Sequence, residues 1–262
     1  MKVEIHKYDI VESSIKECKK LLEERECPVA VVASKMTHGE GRFGQTWHSE
    51  SDENLHLSMG WIVDSDIGYQ EMSSLNIWAG IEICKALQKF IPEKKLELRW
   101  VNDIYCNNKK ISGMYQKSLI QGGKVRKIVF SVGLNINSDP KSYPPTKQLI
   151  ATSLKQELGK ELDMEAVTKE VIESVTRAFE RVENKESHVG PFDKLDGLKE
   201  KKIFVVKEEI TGIAKGINSF GFLLVKTNEG IEKIHSPDVV LENEHILSKE
   251  LKTKGCHFYL AK

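Results

Sequence analysis

The sequence contains no hydrophobic run of the length that a membrane span requires. Its longest apolar runs, at 28–33 and 128–133, are far shorter than the roughly 20 residues of a transmembrane helix. The first ten residues also lack the apolar stretch of a secretory signal peptide. We therefore expect a cytoplasmic protein without a membrane partner.

The sequence has no excess of charge of either sign, since 39 basic residues balance 39 acidic ones. No overall field would therefore attract nucleic acid. The residues before the helix predicted at Ser13–Ser14 are also too few for a DNA-reading domain. We expect no nucleic-acid partner.

Several common binding motifs are missing as well. The five cysteines include no C-x-x-C pair, which argues against a disulfide framework and a structural zinc site. There is no P-loop, because Gly-Lys-Ser and Gly-Lys-Thr are absent, and the glycines at 39–44 do not open a helix as they would in a dinucleotide site. A bound nucleotide would be held in another way.

Apolar periodicity predicts an α+β fold in which a mixed sheet is backed by helices. Period-two alternation and valine-rich runs are typical of strands, and apolar residues three or four apart are typical of helices. Strands are predicted over 3–6, 28–33, 54–61, 96–100, 110–115 and 128–135, with a hairpin turn at 121–124, and helices from Ser14 and over 72–90, 149–158 and 164–182.

The pattern changes after about residue 190. Short strands over 203–206, 210–213, 222–225 and 231–234 then alternate with glycine-containing turns, which predicts a small β-barrel. We therefore predict two domains, 1–190 and 191–262.

The segment 37–47, which reads THGEGRFGQTW, follows the second predicted strand. Its glycines allow backbone amides to approach a bound anion. Arg42 adds a forked cation, and Trp47 offers a flat face to a planar ring. The segment is either a loop that binds a phosphorylated ligand or a surface loop that ends in a core tryptophan.

A second polar group lies at 99–113, where Asp103 and Lys110 flank a predicted hairpin turn. Asp103 is suited to hold magnesium or orient an amine, and Lys110 is suited to neutralise a carboxylate that attacks a phosphate. Gly113 again allows close backbone approach. The alternative is an exposed ion pair beside a turn.

Three stretches resemble, in order and spacing, the motifs of biotin–protein ligases: GEGRFGQTW at 39–47, RWVNDIYCNNKKISG at 99–113 and FSVGLNIN at 130–137. The resemblance covers residues from about 5 to 160. It implies a catalytic domain of the class II synthetase type, and the predicted barrel resembles the SH3-like domain that ends these ligases.

The resemblance implies an ATP-dependent ligase. The carboxylate of biotin attacks the α-phosphate of ATP with Mg²⁺, and a lysine of a biotin carboxyl carrier domain of a carboxylase then takes the acyl group from biotinyl-AMP. Cations and loop amides that converge on the phosphate suit this chemistry. The oligomeric state, including a homodimer, is left open.

The resemblance also implies residue roles by position in the motifs. Arg42 would hold the phosphate, Lys110 would touch the reacting carboxylate and phosphate, and Asp103 would serve transfer and metal binding. The residues implied in binding biotin or ATP are Ser13, Ser14, Met36, Thr37, Gly39, Gly41, Trp47, Asn102, Gly113 and Asn135.

The chain departs from the family pattern, chiefly in the pocket for the ureido ring of biotin. A buried polar group that loses its hydrogen-bond partner costs about 1–3 kcal/mol. Two further hypotheses therefore stay open: a ligase for lipoate or octanoate, and a binding protein that has lost turnover. The departures are Ile15 for an asparagine, Met36 for a glutamine, Glu40 and Gln45 for arginines, and Val101 for a proline.

Overall fold

The computed structural model of the chain describes residues 2–25, 27–41, 47, 52–63, 67–143, 148, 150–236 and 238–244. Seven strands of the first part are β1 (Glu4–Val11), β2 (Val29–Met36), β3 (Asn54–Ile62), β4 (Leu96–Arg99), β5 (Asp103–Cys106), β6 (Lys109–Gln121) and β7 (Lys124–Asn135). The α-helices in the described ranges are α1 (Ser14–Glu24), α2 (Tyr69–Ser73), α3 (Leu75–Gln88), α4 (Leu154–Leu158), α5 (Met164–Glu183) and α6 (Val189–Asp193).

These strands form one sheet in the order β1-β2-β3-β7-β6-β5-β4. β1 and β2 pair in parallel, and the other neighbours are antiparallel. The prediction of a mixed sheet backed by helices is therefore confirmed.

A second, five-stranded sheet follows. Its strands are β8 (Lys202–Val205), β9 (Ile210–Ile217), β10 (Leu223–Lys226), β11 (Ile231–Ile234) and β12 (Val239–Leu241), in the order β11-β10-β9-β8-β12. Each pair is antiparallel. The strands predicted after residue 201 are confirmed, whereas the domain boundary at 190 stays a prediction.

The two faces of the first sheet are covered differently. The far face packs against α3 and α5, where Trp61 of β3 stacks on Phe179 of α5 with ring centroids 4.7 Å apart. On the near face, α1 covers only one part, because its apolar residues pack near Gly60 and Val129. Trp47, which follows β2 in the chain, lies over another part of the near face, at Gly113 and Gly133.

Two of the predicted helices were too long. The helix predicted over 72–90 is divided at Ser74, whose N–H donates to the carbonyl of Glu71. In the helix predicted over 149–158, residues 150–152 instead pair with Lys110: Lys110 N donates to Ile150 O over 2.8 Å, and Thr152 N donates to Lys110 O over 2.9 Å. The helical part starts at Leu154. The prediction at 149 falls outside the described residues.

Residues 194–201, which link α6 to the second sheet, and the second sheet itself contact the first sheet near β4. Leu98 of β4 donates its N–H to Leu195 O over 2.7 Å and accepts from Gly197 N over 3.1 Å. Trp100 Nε1 donates to Gly221 O over 2.8 Å, beside the buried His188. The linker thus extends the first sheet beyond β4.

None of the helices in the described ranges combines the length and apolarity that crossing a membrane takes. The cysteines in those ranges, Cys18, Cys27, Cys84 and Cys106, are free thiols.

Candidate active site

The floor of the candidate site is a row of four residues across the near face of the first sheet, and the two in the middle are glycines. His56 of β3 lies opposite Gly133 of β7, Gly133 lies opposite Gly113 of β6, and Gly113 lies opposite Asp103 of β5. Residues directly opposite one another share a face of the sheet. The two glycines therefore leave a trough between a histidine and a carboxylate.

Trp47 lies directly on this trough. A Cβ atom at Gly133 would be 2.3 Å from Trp47 Cε2, and one at Gly113 would be 3.0 Å from Trp47 Cζ3. Trp47 is held at the end of its loop by its N–H, which donates to Gly39 O over 3.0 Å. The prediction of a flat aromatic face beside the site thus has a structural basis: the indole approaches the sheet because both positions lack a side chain.

Lys110 and Asp103 flank the trough. Lys110 Nζ is 2.7 Å from Asp103 Oδ2, and it lies 5.9 Å from the centroid of the Trp47 ring. The turn between β5 and β6 is tight because Asn107 and Asn108 adopt positive φ angles of 49° and 60°, which asparagine tolerates better than most residues. The pair is partly buried, with side chains 29% and 25% exposed, so it is more sheltered than an ordinary surface ion pair.

The second carboxylate oxygen of Asp103 has a different environment. Oδ1 is buried and has no hydrogen-bond partner among the described residues. A buried carboxylate oxygen without a partner is costly. Asp103 therefore presents one acceptor that a ligand can use while the other stays with Lys110.

Tyr105 and Arg99 lie beside Asp103 on the same sheet. The Arg99 guanidinium stacks 3.8 Å from the centroid of the Tyr105 ring and pairs with Glu244 over 2.9 Å. Burial, and to a smaller extent the charge of Asp103, raise the pKa of the Tyr105 hydroxyl well above its usual range. The phenol therefore stays protonated near the carboxylate.

Two predicted binding asparagines brace the backbone around the site. Asn102 Nδ2 donates to Met114 O over 2.8 Å, and the buried Asn135 Nδ2 donates to Thr152 O over 3.0 Å. The Trp100–Val101 peptide bond just before Asn102 is cis. The predicted contacts of Asn102 and Asn135 with a ligand stay predictions.

The far end of the trough is lined by hydroxyl groups. Ser58 Oγ donates to Ser14 Oγ over 2.8 Å and lies 2.8 Å from Ser131 Oγ, and Ser14 Oγ donates to Met36 Sδ over 3.4 Å. Because a thioether is a weak acceptor, the Ser14 proton is available to a better one. Ser14 and Met36 therefore meet at this end, as the motif positions implied.

Ser13 adds a second hydroxyl at the same end. It is the N-cap residue of α1, but its side chain makes no capping hydrogen bond to the helix. Instead, Ser13 Oγ donates to Glu40 Oε1 over 3.5 Å, which is long for a hydrogen bond of this type. An N-cap serine that caps its helix is typically worth about 1 kcal/mol, so this hydroxyl is directed to the site at the expense of the helix.

Glu40, the acidic residue in the loop, has a cationic partner. Lys117 Nζ of β6 forms an ion pair with Glu40 Oε2. The reversed charge at position 40 is thus compensated by a lysine that is 77 residues away in sequence. Each side chain of the pair is 30% exposed.

The remaining predicted residues belong to the loop after β2. Thr37 is exposed and anchors the loop through its N–H, which donates to Val11 O over 3.0 Å. Gly39 is buried and Gly41 is partly buried. Arg42, the predicted phosphate ligand, lies outside the described residues and stays a prediction.

Ile15 lies in the interior and does not line the trough. It is 3% exposed and packs with Cys18, Leu22 and Val129 between α1 and the sheet. An apolar residue at this position is therefore explained by packing of α1.

Sequence reasoning missed four residues of the site: Ser58, Lys117, Ser131 and Gly133. For three of them a signal existed. Ser58 is followed two residues later by Gly60, and Ser131 by Gly133, so small side chains repeat with the period of a strand face. Lys117 gave no comparable signal.

Two family models match separate parts of this fold. The model of the Biotin/lipoate A/B protein ligase family matches residues 11–135, and that of the Biotin protein ligase C terminal domain matches residues 205–241. Residues 11–135 are thus similar to the biotin/lipoate A/B protein ligase family, and residues 205–241 are similar to the domain that ends biotin protein ligases.

The chain is also similar to individual ligases. The chain is 30% identical over 220 residues to the "Bifunctional ligase/repressor BirA" of Bacillus subtilis, an alignment that covers 80% of this chain and 65% of that protein. It is 28% identical over 208 residues to the protein of the same name from Escherichia coli, covering 78% and 63%. The chain thus spans slightly less than two thirds of the length of these relatives.

Solved structures support the fold. A biotin protein ligase from Aquifex aeolicus, in complex with biotin and ATP, superposes with a TM-score of 0.76 at 24% identity, covering 91% of this chain and 98% of that one. A biotin acetyl coenzyme A carboxylase synthetase from Helicobacter pylori, with bound biotinylated ATP, has a TM-score of 0.59 at 17% identity, covering 89% and 100%.

Proposed function

We propose that this chain is an ATP-dependent biotin–protein ligase, which activates biotin as biotinyl-5′-AMP and transfers it to a lysine of a biotin carboxyl carrier domain. The observation that carries the proposal is the Lys110–Asp103 pair, 2.7 Å apart, beside Trp47 at one end of a trough that ends in serine hydroxyls. Relatives that are named as ligases, and neighbours solved with biotin and ATP, support the same reaction.

In the first step, a carboxylate oxygen of biotin attacks the α-phosphorus of ATP, and the bond to pyrophosphate breaks. Two anions must approach each other, so a fixed cation lowers the barrier as charge develops. Lys110 supplies such a cation next to the glycine floor. Arg42 would add a second cation from the loop.

In the second step, the ε-amine of a carrier lysine attacks the acyl carbon, the bond to AMP breaks, and the amine loses a proton. Asp103 Oδ1 is a buried acceptor with no partner in the described part of the chain. It is suited to orient the amine and to receive its proton. Asp103 and Lys110 would thus act chiefly on different steps.

Magnesium would accompany ATP. No group of three His, Cys, Asp or Glu side chains in the described ranges could hold a metal ion by itself. In the first step the free oxygen of Asp103 would add one ligand to an ion that keeps several waters and binds mainly to substrate phosphates, so its loss would impair this step less than the transfer step. When bound, such an ion neutralises phosphate charge.

The two other hypotheses have less support. A lipoate or octanoate ligase would share the first family model, but the second model is that of a biotin protein ligase domain. A protein that only binds would have no need of a carboxylate and an ammonium paired beside the trough. The cytoplasmic location and a homodimer stay predictions.

The proposal is tested by adding biotin, lipoate or octanoate to the protein with Mg²⁺ and ATP, and following pyrophosphate release. We expect release with biotin, and transfer of labelled biotin to a biotin carboxyl carrier domain but not to the same domain with its target lysine replaced. Turnover with only lipoate or octanoate would refute the biotin assignment, and turnover with none of the acids would favour the binding protein.

A further inference from the structure

Glu40 is the most unusual residue of the site, because an anion lies in a loop that would enclose a phosphate. Its two oxygens have different partners. Oε2 pairs with Lys117, whereas Oε1 receives only the long, 3.5 Å contact from Ser13 in the described residues. Oε2 is therefore held by an ion pair, whereas Oε1 makes only a weak hydrogen bond.

The groups around Oε1 form a small polar set at the serine end of the trough. Ser13 Oγ donates to Glu40 Oε1, and Ser14 Oγ donates to Met36 Sδ over 3.4 Å. Each hydroxyl therefore donates its proton to an acceptor that is either distant, as for Ser13, or weak, as for Ser14. The set thus offers two donors and one carboxylate acceptor.

A cyclic urea requires this combination. Its carbonyl oxygen accepts up to two hydrogen bonds, and each ring N–H donates one. Met36 supplies a thioether in place of an amide oxygen and Ile15 is buried in the core, so neither provides a strong acceptor for a ring N–H. Glu40 Oε1 is the strong acceptor that lies in this set.

We infer that Glu40 is a specificity-determining residue that accepts a hydrogen bond from a ureido N–H, while Lys117 holds its carboxylate in position. The Ser13 and Ser14 hydroxyls then donate to the ring carbonyl. The inference rests on the proposed function, since it names the part of biotin that this end of the site recognises. A hydrogen bond to a charged acceptor is stronger than one to a neutral acceptor, which compensates for the weak acceptor at Met36.

The test measures biotin binding to the full chain by titration calorimetry, together with the KM for ATP in pyrophosphate release. Glu40→Leu should weaken biotin binding about 10- to 100-fold, because a buried N–H loses its partner, and should change the KM for ATP less than about 3-fold. Glu40→Gln, which keeps an acceptor oxygen, should recover most of the affinity. Lys117→Met should give an intermediate loss, and Lys127→Met, a lysine of β7 outside the site, should give none.

Unchanged biotin affinity in Glu40→Leu would overturn the inference. Equal losses of biotin affinity and ATP affinity in Glu40→Leu would also overturn it, because they would mean that Glu40 only holds the loop. A failure of Glu40→Gln to restore biotin binding would overturn it as well. If the wild-type chain itself does not bind biotin, the proposed function falls together with the inference, and this result is distinct from the others.

Discussion

Lys110 and Asp103 are neighbours in space, but they offer a ligand different groups, and the roles that we propose for them differ accordingly. Lys110 has an ammonium that can exchange Asp103 for a substrate anion, and Asp103 has an oxygen with no partner in the described residues. A charge that acts on the phosphate and an acceptor that acts on the amine need not contribute to the same step.

Replacement of each residue should therefore affect a different half-reaction. Lys110→Met should slow biotin-dependent pyrophosphate release about 100- to 1,000-fold, because a cation beside the developing charge is lost. Asp103→Asn should slow transfer from preformed biotinyl-AMP to the carrier by about 100-fold or more and should affect adenylate formation much less. Rapid-quench assays of each half-reaction measure these rates.

Lys109→Met is the matched control, because Lys109 is exposed at the same turn, and it should leave both rates unchanged. Equal loss of both half-reactions in Asp103→Asn would contradict the separation of roles.

At the residue scale, contacts between residues close in sequence could be predicted, whereas contacts between distant residues could not. Asp103 and Lys110 are seven positions apart on one hairpin, so their meeting could be predicted from local structure. The partner of Glu40 could not, because Lys117 reaches it only after β2 and β6 have taken their places in the sheet.

At the scale of elements, the trough exists because β6 and β7 carry glycines where they oppose each other. Gly113 and Gly133 are direct partners across the two strands, and the indole of Trp47 occupies the space above both. The depth of the site therefore depends on β6 and β7 together, because each contributes one of the two glycines.

Gly133→Ala tests this arrangement. The new methyl group would lie 2.3 Å from Trp47 Cε2, which is far below van der Waals contact, so the indole must move. We expect a shift in tryptophan fluorescence and a rise of about 10-fold or more in the KM for biotin or ATP, since a displacement of about 1 Å in a positioned group can cost about 100-fold in rate.

Gly190→Ala serves as the control, because a Cβ at Gly190 would meet no atom within 4 Å. Unchanged fluorescence and KM values in Gly133→Ala would show that the indole does not depend on the glycine floor.

Sequence periodicity misjudged two helices, and a non-local contact decided one of them. Residues 150–152 continue an apolar pattern, but they pair with Lys110 of β6 and only then does α4 begin. The break at Ser74 has a local cause that periodicity does not show, because the N–H and Oγ of Ser74 both donate to Glu71 O, three residues earlier. The mixed sheet, by contrast, followed from strand alternation that is strong within each segment.

At the scale of the whole molecule, His188 lies at the contact with the second sheet. It is 5% exposed, and its Nε2 has no hydrogen-bond partner in the described ranges and lies near Gly221. Burial lowers the pKa of His188 below its ordinary value of 6.5. The folded chain therefore keeps this imidazole neutral at pH values where the unfolded chain binds a proton.

The stability of the protein should consequently fall as the pH falls below about 6.5, by up to about 1.4 kcal/mol per pH unit from this group, until the pKa in the folded state is reached. Above that range both states are neutral at this position and His188 contributes no pH dependence. Urea unfolding at about pH 7.5 and 5.5 measures the effect, and His188→Gln, which has no titrating group, should show a smaller loss. An equal loss in the wild type and the variant would exclude His188 as the cause.

The hydrogen bonds that join residues 195 and 197 to Leu98 of β4 bear on where the chain can be cut. A fragment of residues 1–190 would contain the predicted catalytic domain but would lack these residues, and β4 would become an open sheet edge of the kind that recruits other chains. We expect such a fragment to self-associate in light-scattering chromatography, and a fragment of residues 1–201 to do so much less. The point at which the sequence changes in character is therefore not a point at which the chain can be cut without exposing this edge.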